Sequence, residues 1–202
     1  GALVASVREA LNAGITCSPT SGFHHAGHSY NGSFCTFNGL VIAARKLINE
    51  GAVSRVGILD CDQHYSDGTI DILDKLELHD VIQNWTFGDE FGHRGDFRQK
   101  VFLERLGDSI DEMKDDGVEL VILQAGADPH VNDPLSSAGM TSEEMRERDR
   151  FVFTTCHELG IPVCFCLAGG YQRDADGGIS KVLELHRATV EEAIQVLNVP
   201  RY

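Results

Sequence analysis

The chain has 202 residues, 42% hydrophobic and 24% charged, enough for one domain with a buried core and not the composition of a disordered chain. It carries 17 Lys+Arg against 31 Asp+Glu, a formal net charge of −14. No apolar run reaches the length of a membrane span, and such an acidic chain has no general electrostatic affinity for nucleic acid or an anionic bilayer; cationic substrates are compatible with it.

In chain order, Leu3 to Ala13 has the spacing of an amphipathic helix closed by Gly14, so the chain opens in a helix with no strand before it. Phe37 to Glu50 is a second helix, closed by Gly51. Val53 to Leu59 reads as a short apolar strand ending at Asp60, and Val81 to Phe87 as another. Phe97 to Asp115 is helical and stops at Gly117, and Glu119 to Gln124 is a buried strand. Thr141 and Glu144 form a capping-box pattern that opens a helix running to Gly160. Ile161 to Leu167 is a strand and Ser180 to Leu197 the last helix, followed by Pro200.

Strands alternating with helices define an α/β domain. Strands that are apolar without polar alternation belong to a mainly parallel sheet covered on both faces, a three-layer αβα arrangement. The six cysteines, Cys17, Cys35, Cys61, Cys156, Cys164 and Cys166, include no CxxC pair. They read as buried reduced thiols. The first residues lack the basic start and apolar core of a secretory signal, so a cytoplasmic location is expected.

In parallel sheets, ligands bind beyond the carboxyl ends of the strands. The tails GFHHAGHSYNGSFC, DCDQHYSDG, GADPHVNDP and AGGYQRDADGG are rich in His, Asp, Gly and Tyr, whereas the segments that enter the strands are not. In an extended chain Asp60, Asp62 and His64 share a face, and two carboxylates with an imidazole suit a divalent metal. A further ligand must come from elsewhere, and Asp128 is the natural candidate. A solvated acidic loop is the bland alternative. His24 and His25 could act as acid and base near neutral pH, with Asp60 and Asp67 free to orient them. Gly169 and Gly170 allow close backbone approach, and Tyr171 would present a hydroxyl to a developing oxyanion. A tight turn with a surface tyrosine is the competing reading.

Taken together and in this order, GFHHAGHSYNGSFCTFNG, VGILDCDQHYSDG, LQAGADPHVNDPL and LAGGYQ resemble the zinc-dependent deacetylases of the histone deacetylase and acetylpolyamine amidohydrolase superfamily, whose fold is related to arginase. DPLSSAGMTSEEMRERDRFVF is most similar to the class IV-like and bacterial branch. The resemblance implies one catalytic Zn2+ on Asp62, His64 and Asp128. It implies His25, backed by Asp67, as general base, and His24, backed by Asp60, as an electrostatic partner. Tyr171 becomes the oxyanion donor, and Phe34, Phe91 and Gly170 line a tunnel for an acylated lysine or polyamine. Backbone oxygens of Asp60, Asp62 and His64, with Thr86 nearby, resemble a structural K+ site. Ser33 precedes Phe34 where many members have glycine. The 202 residues are expected to form a single catalytic domain that lacks the usual N-terminal portion.

Two readings of other classes stand beside this one. One is a truncated non-catalytic domain that binds metal or an acylated ligand. The other is an arginase-like ureohydrolase with two manganese ions, for which Asp133 offers a further carboxylate. The remaining histidines divide in two groups. His28, His93 and His130 lie in loops near the site, as rim or supporting residues; His79, His157 and His186 lie on or beside helices and read as structural.

Overall fold

The computed structural model describes residues 1–92 and 97–199. Leu3, Val7 and Ala10 form the buried stripe of α1 (Ala2–Ala13), which Gly14 closes at φ 83°. Strand β1 (Ile15–Ser18) follows at once. This strand is not among the elements expected from the sequence. Its four residues are too few to display a period, and their burial does not alternate: Ile15 and Ser18 are buried, Thr16 and Cys17 half-buried.

The remaining elements are α2 (Gly39–Asn49), β2 (Val56–Asp60), α3 (Asp67–Lys75), β3 (Ile82–Thr86), α4 (Phe87–Glu90), α5 (Gln99–Asp115), β4 (Leu120–Gly126), α6 (Ser142–Glu158), β5 (Val163–Ala168) and α7 (Ser180–Leu197). The capping box at Thr141 and Glu144 is formed. Helices α3 and α4 were not anticipated: α3 is nine residues with three buried positions, and α4 is a single turn.

The five strands form one parallel sheet in the order β1-β5-β4-β2-β3. Alternate strand residues feed two cores. Val56, Ile58, Ile122, Cys164 and Cys166 pack under α1, α2 and α3. Leu59, Leu123, Ala125, Val163 and Phe165 pack under α5, α6 and α7. The architecture is therefore the expected three-layer α/β sandwich. All six cysteines are free, five of them buried, and burial pushes the thiols of Cys61, Cys156 and Cys164 up to about 12. Among the described residues, no helix is long and apolar enough to cross a membrane.

One buried side chain ties the first helical layer to the loop that carries the histidine pair. Asn38 caps α2 by accepting from the Val41 amide at 3.1 Å. Its amide nitrogen donates to Ala26 O at 3.2 Å and Thr69 Oγ1 at 3.0 Å. Asn38→Ala removes the cap and leaves a buried carbonyl unpaired, so chemical denaturation should register a loss of about 2–3 kcal/mol. A loss below about 0.5 kcal/mol would mean that water replaces the side chain there.

Candidate active site

The chain steps from β2 outward to β3, then returns across the sheet to β4 and β5. Connections therefore leave the neighbouring strands β2 and β4 in opposite directions, and the loops beyond their carboxyl ends part. Asp62 and His64 follow β2, and Asp128 follows β4. All three reach the crevice at this switch point.

One potential ligand atom from each of Asp62, His64 and Asp128 lies within 4.8 Å of the others. His64 Nδ1 stands 2.9 Å from Asp62 Oδ1 and 2.9 Å from Asp128 Oδ2. Strand geometry is not what gathers them, because β2 ends at Asp60. Instead the backbone turns on side-chain acceptors: the Asp62 amide donates to Asp60 Oδ1 at 3.1 Å, and the His64 amide donates to Asp62 Oδ1 at 3.0 Å. Such local bonds to the amide two residues on are the Asx-turn habit of aspartate. Asp60 thereby faces away from the cluster and toward His24.

The residues fit a divalent cation. Their donors are one imidazole nitrogen and carboxylate oxygens, the set that zinc takes. Asp128 is fully buried; its Oδ1 accepts from the Gln63 amide at 3.1 Å, while its Oδ2 has no aligned hydrogen bond despite its proximity to His64. A buried carboxylate oxygen without a donor is costly unless a cation satisfies it. Burial, and then the charge of Asp62, raise the Asp128 carboxyl above the usual range. The adjacent Asp128 and Asp62 carboxylates raise the His64 imidazole. Both shifts favour the protonated forms of Asp128 and His64 in the metal-free chain.

The histidine pair sits beside this cluster. His24 Nδ1 is 2.8 Å from Asp60 Oδ2, and both side chains are buried. Burial lowers the His24 pKa, but Asp60, with Asp62 and Asp128 behind it, outweighs this and lifts it to about 9. His25 Nδ1 lies 2.6 Å from Asp67 Oδ1, at the start of α3. The two imidazole rings are 4.1 Å apart, and that of His25 is 5.9 Å from His64. Glycines set the approach of this loop. A Cβ at Gly32 would meet His25 O at 2.5 Å, and one at Gly68 would meet the His25 carbonyl carbon at 2.5 Å.

Tyr171 closes the other side. Its ring is 6.4 Å from that of His64 and 5.8 Å from that of Phe34. Its amide donates to Asp133 Oδ2 at 2.6 Å, and Asp133 Oδ1 accepts from the Leu135 amide. Asp133 is therefore committed to backbone donors. Burial and the charges of Asp62, Asp128 and Asp133 raise the Tyr171 phenol, so it keeps its proton at neutral pH. Gly169 has φ 54°, and a Cβ there would fall 2.4 Å from the Asp128 carboxylate; Gly170 has φ 98° and is packed on Val182 and Ala127. A cavity of about 40 Å³, lined by His24, His25, Phe34, Asp62, Gly169 and Tyr171 among others, joins these groups. It holds room for a few water molecules.

Several residues lie elsewhere than expected. Phe91 does not line the cavity; it is buried in the core, with ring centroids 5.4 to 6.1 Å from those of Phe87, Phe97 and Phe102. An aromatic so close to other aromatics gains more from stacking than from facing solvent. Phe34 stands at the rim, 78% exposed, after Ser33, which holds a left-handed φ of 46°. Thr86 lies across from Asp60 in the β2–β3 ladder, and its buried Oγ1 has no hydrogen-bond partner. His28 is exposed; His130 is buried, with ring nitrogens near Ser142 Oγ, the Asn132 amide and Gln172 Nε2. His93 lies outside the described residues. His79 pairs with Asp74 at the surface, and His186 bonds to the Gly169 backbone.

Four supporting residues escaped the sequence reading. Gln124 Nε2 donates to Asp60 Oδ1 at 3.0 Å. Gln63 binds Gly92 O and the Ser137 and Ala138 amides, joining the two ligand loops. Arg148 and Asp149 lie beneath the same loops. Only the position of Gln63 between two ligands carried any signal; long polar residues inside helices and strands resemble surface residues until the fold buries them.

Fold and site together define a parallel α/β domain with an Asp/His metal-type centre at the switch point, flanked by two His–Asp pairs and a tyrosine. The histone deacetylase domain profile matches residues 1–83 and 93–185, and the chain belongs to that family. It is 30% identical to an uncharacterized protein of Picosynechococcus, over 93% of this chain and 66% of that protein. It is 28% identical to the acetylpolyamine amidohydrolase of Mycoplana ramosa, over 77% of this chain and 50% of that one. The crystal structure of an acetylpolyamine aminohydrolase from Burkholderia pseudomallei superposes over the whole chain and 61% of its own, with TM-score 0.75 and 20% identity. The chain thus spans about half to two thirds of the length of these relatives.

Proposed function

We propose that the chain hydrolyses the acyl amide of an acylated lysine or polyamine, with zinc held by Asp62, His64 and Asp128. The observation that carries the reading is the Asp62, His64 and Asp128 cluster beside a cavity lined by His24, His25, Asp62 and Tyr171. When bound, the divalent ion supplies Lewis acidity, polarising a carbonyl and acidifying water.

The protein groups do the rest. His25, oriented by Asp67, takes a proton as water attacks the carbonyl carbon and returns it to the leaving amine. His24, held by Asp60 at 2.8 Å and 3.7 Å from Asp62, is the electrostatic partner beside the ligand set. Tyr171, protonated at neutral pH, donates to the oxyanion. Phe34 offers an apolar edge to the alkyl chain of the substrate, and the surplus of acidic residues suits a cationic one. The same reading includes a structural K+ at the backbone oxygens of Asp60, Asp62 and His64, supported by the unpartnered Oγ1 of Thr86.

The test is hydrolysis of a fluorogenic acetyl-lysine peptide and of an acetylated polyamine by the zinc-loaded chain, beside His25→Ala. The expected result is turnover that falls by about 10²–10⁴ in the variant, the usual worth of a general base. Turnover equal in both proteins would remove His25 from the reaction. Zinc binding without any turnover would favour a binding role.

A further inference from the structure

The side chain with the least expected surroundings is Arg148. It is the largest fully buried side chain among the described residues, at 1% exposure, yet it lies in the middle of α6 rather than in a loop. Arginine is almost never fully buried unless its charge and donors are matched. Here they are. Nε donates to Asp149 Oδ1 at 2.8 Å, and Asp149 Oδ2 accepts from Thr189 Oγ1 of α7 at 2.6 Å.

What Arg148 reaches is the decisive point. Its Nη1 donates to Gly126 O at 2.8 Å and to Cys61 O at 3.3 Å. Cys61 immediately precedes Asp62, and Gly126 stands two residues before Asp128. The last paired residues of the two strands are Asp60 and Gln124, so the guanidinium spans the point just beyond, where the two chain segments must separate. They pass there in contact: a Cβ at Gly126 would fall 2.5 Å from Asp62 Cα. The ligand-bearing tails therefore have one close approach, which only glycine permits, and one cationic donor bridging their carbonyls from below.

We infer that Arg148 is a positioning residue that sets the separation of Asp62 and Asp128, with Asp149 and Thr189 holding its guanidinium in place. The inference rests on the proposed metal reading. A planar group with several fixed N–H donors suits this task, whereas a lysine offers a single mobile nitrogen. Residues that orient metal ligands typically contribute about 10–100-fold to metal affinity or activity.

The experiment measures zinc affinity by competition with a chromophoric chelator, together with the melting temperature of the metal-free chain. The variants are Arg148→Met, Arg148→Lys and Phe153→Leu. Phe153 is buried on the same helix against Phe165 and has no donor to offer the ligand-bearing carbonyls, so it reports what simple loosening of α6 does. Arg148→Met should weaken zinc binding by about 10–100-fold, with Arg148→Lys between it and the parent chain. Phe153→Leu should lower the melting temperature without moving zinc affinity. If Arg148→Met binds zinc as the parent does, or if Phe153→Leu loosens zinc equally, Arg148 is only structural and the inference falls. A parent chain that binds no zinc would instead sink the metal reading itself. Arg148→Lys keeps the charge and serves as the measurement should Arg148→Met fail to fold.

Discussion

Tyr171→Phe should lower kcat by about 10²–10³, the typical cost of removing one oxyanion donor, while zinc affinity and KM stay where they are. Burial and three nearby carboxylates raise the phenol, so the hydroxyl keeps its proton at neutral pH. A donor that acts only on charge appearing in the transition state changes kcat and kcat/KM alike. The ring contributes separately. It packs beside Phe34 and His64, and its backbone amide is held by Asp133. Phenylalanine preserves all of these, so the variant isolates the oxygen atom. Steady-state kinetics with a zinc titration decides the matter: full activity in Tyr171→Phe would remove the oxyanion role, and a parallel loss of zinc would show that the hydroxyl supports the ligands instead.

Legibility in the sequence followed the strength of the local pattern. The apolar runs of β2, β4 and β5 and the periodic stripes of α1, α5, α6 and α7 stood out, because two-sided burial and amphipathic spacing leave long signatures. Strand β1 did not, being four residues between a glycine and a loop. The site residues were visible as chemistry gathered after strands, but the reason for their convergence was not. Alternation along an extended strand suggested that Asp60, Asp62 and His64 share a face; the chain instead leaves the strand at Asp60 and turns on its own aspartates, which sends Asp60 to His24. Phe91 looked like a wall of the cavity and went to an aromatic core, since nothing local separates the two uses of a phenylalanine after a strand. Arg148 was hidden, and Gln63 showed only by its place between two ligands, for a related reason. Their importance lies in backbone carbonyls and amides distant in sequence, which no pattern of side chains records.

Asp128→Asn should abolish zinc-dependent stabilisation while leaving the metal-free chain as stable as before, or more so. The two halves have one cause. Asp128 is fully buried next to Asp62, so its charged form is disfavoured in the folded chain and its pKa lies above the unfolded value. For a carboxylate raised in this way, the sign runs opposite to that of a salt-bridged one. Ionisation costs stability, and the cost grows as pH rises past the unfolded pKa of about 3.9. Replacing the charge by a neutral amide of the same shape removes that cost, and the Gln63 amide keeps an acceptor. Protonated His64, 2.9 Å from Asp128 Oδ2, offsets part of that cost in the metal-free chain, and a divalent cation meets the charge in full. With zinc in hundredfold excess over Kd, the parent chain should gain about 2.7 kcal/mol, and its melting temperature should rise accordingly. Asp128→Asn should show no such rise. Melting curves at neutral pH, with zinc and with chelator, test both statements. A variant still stabilised by zinc like the parent would show that Asp128 is not a ligand. A variant much less stable than the parent in chelator would show that the carboxylate holds the fold together by itself, in which case the strain assigned to the metal-free cluster does not exist.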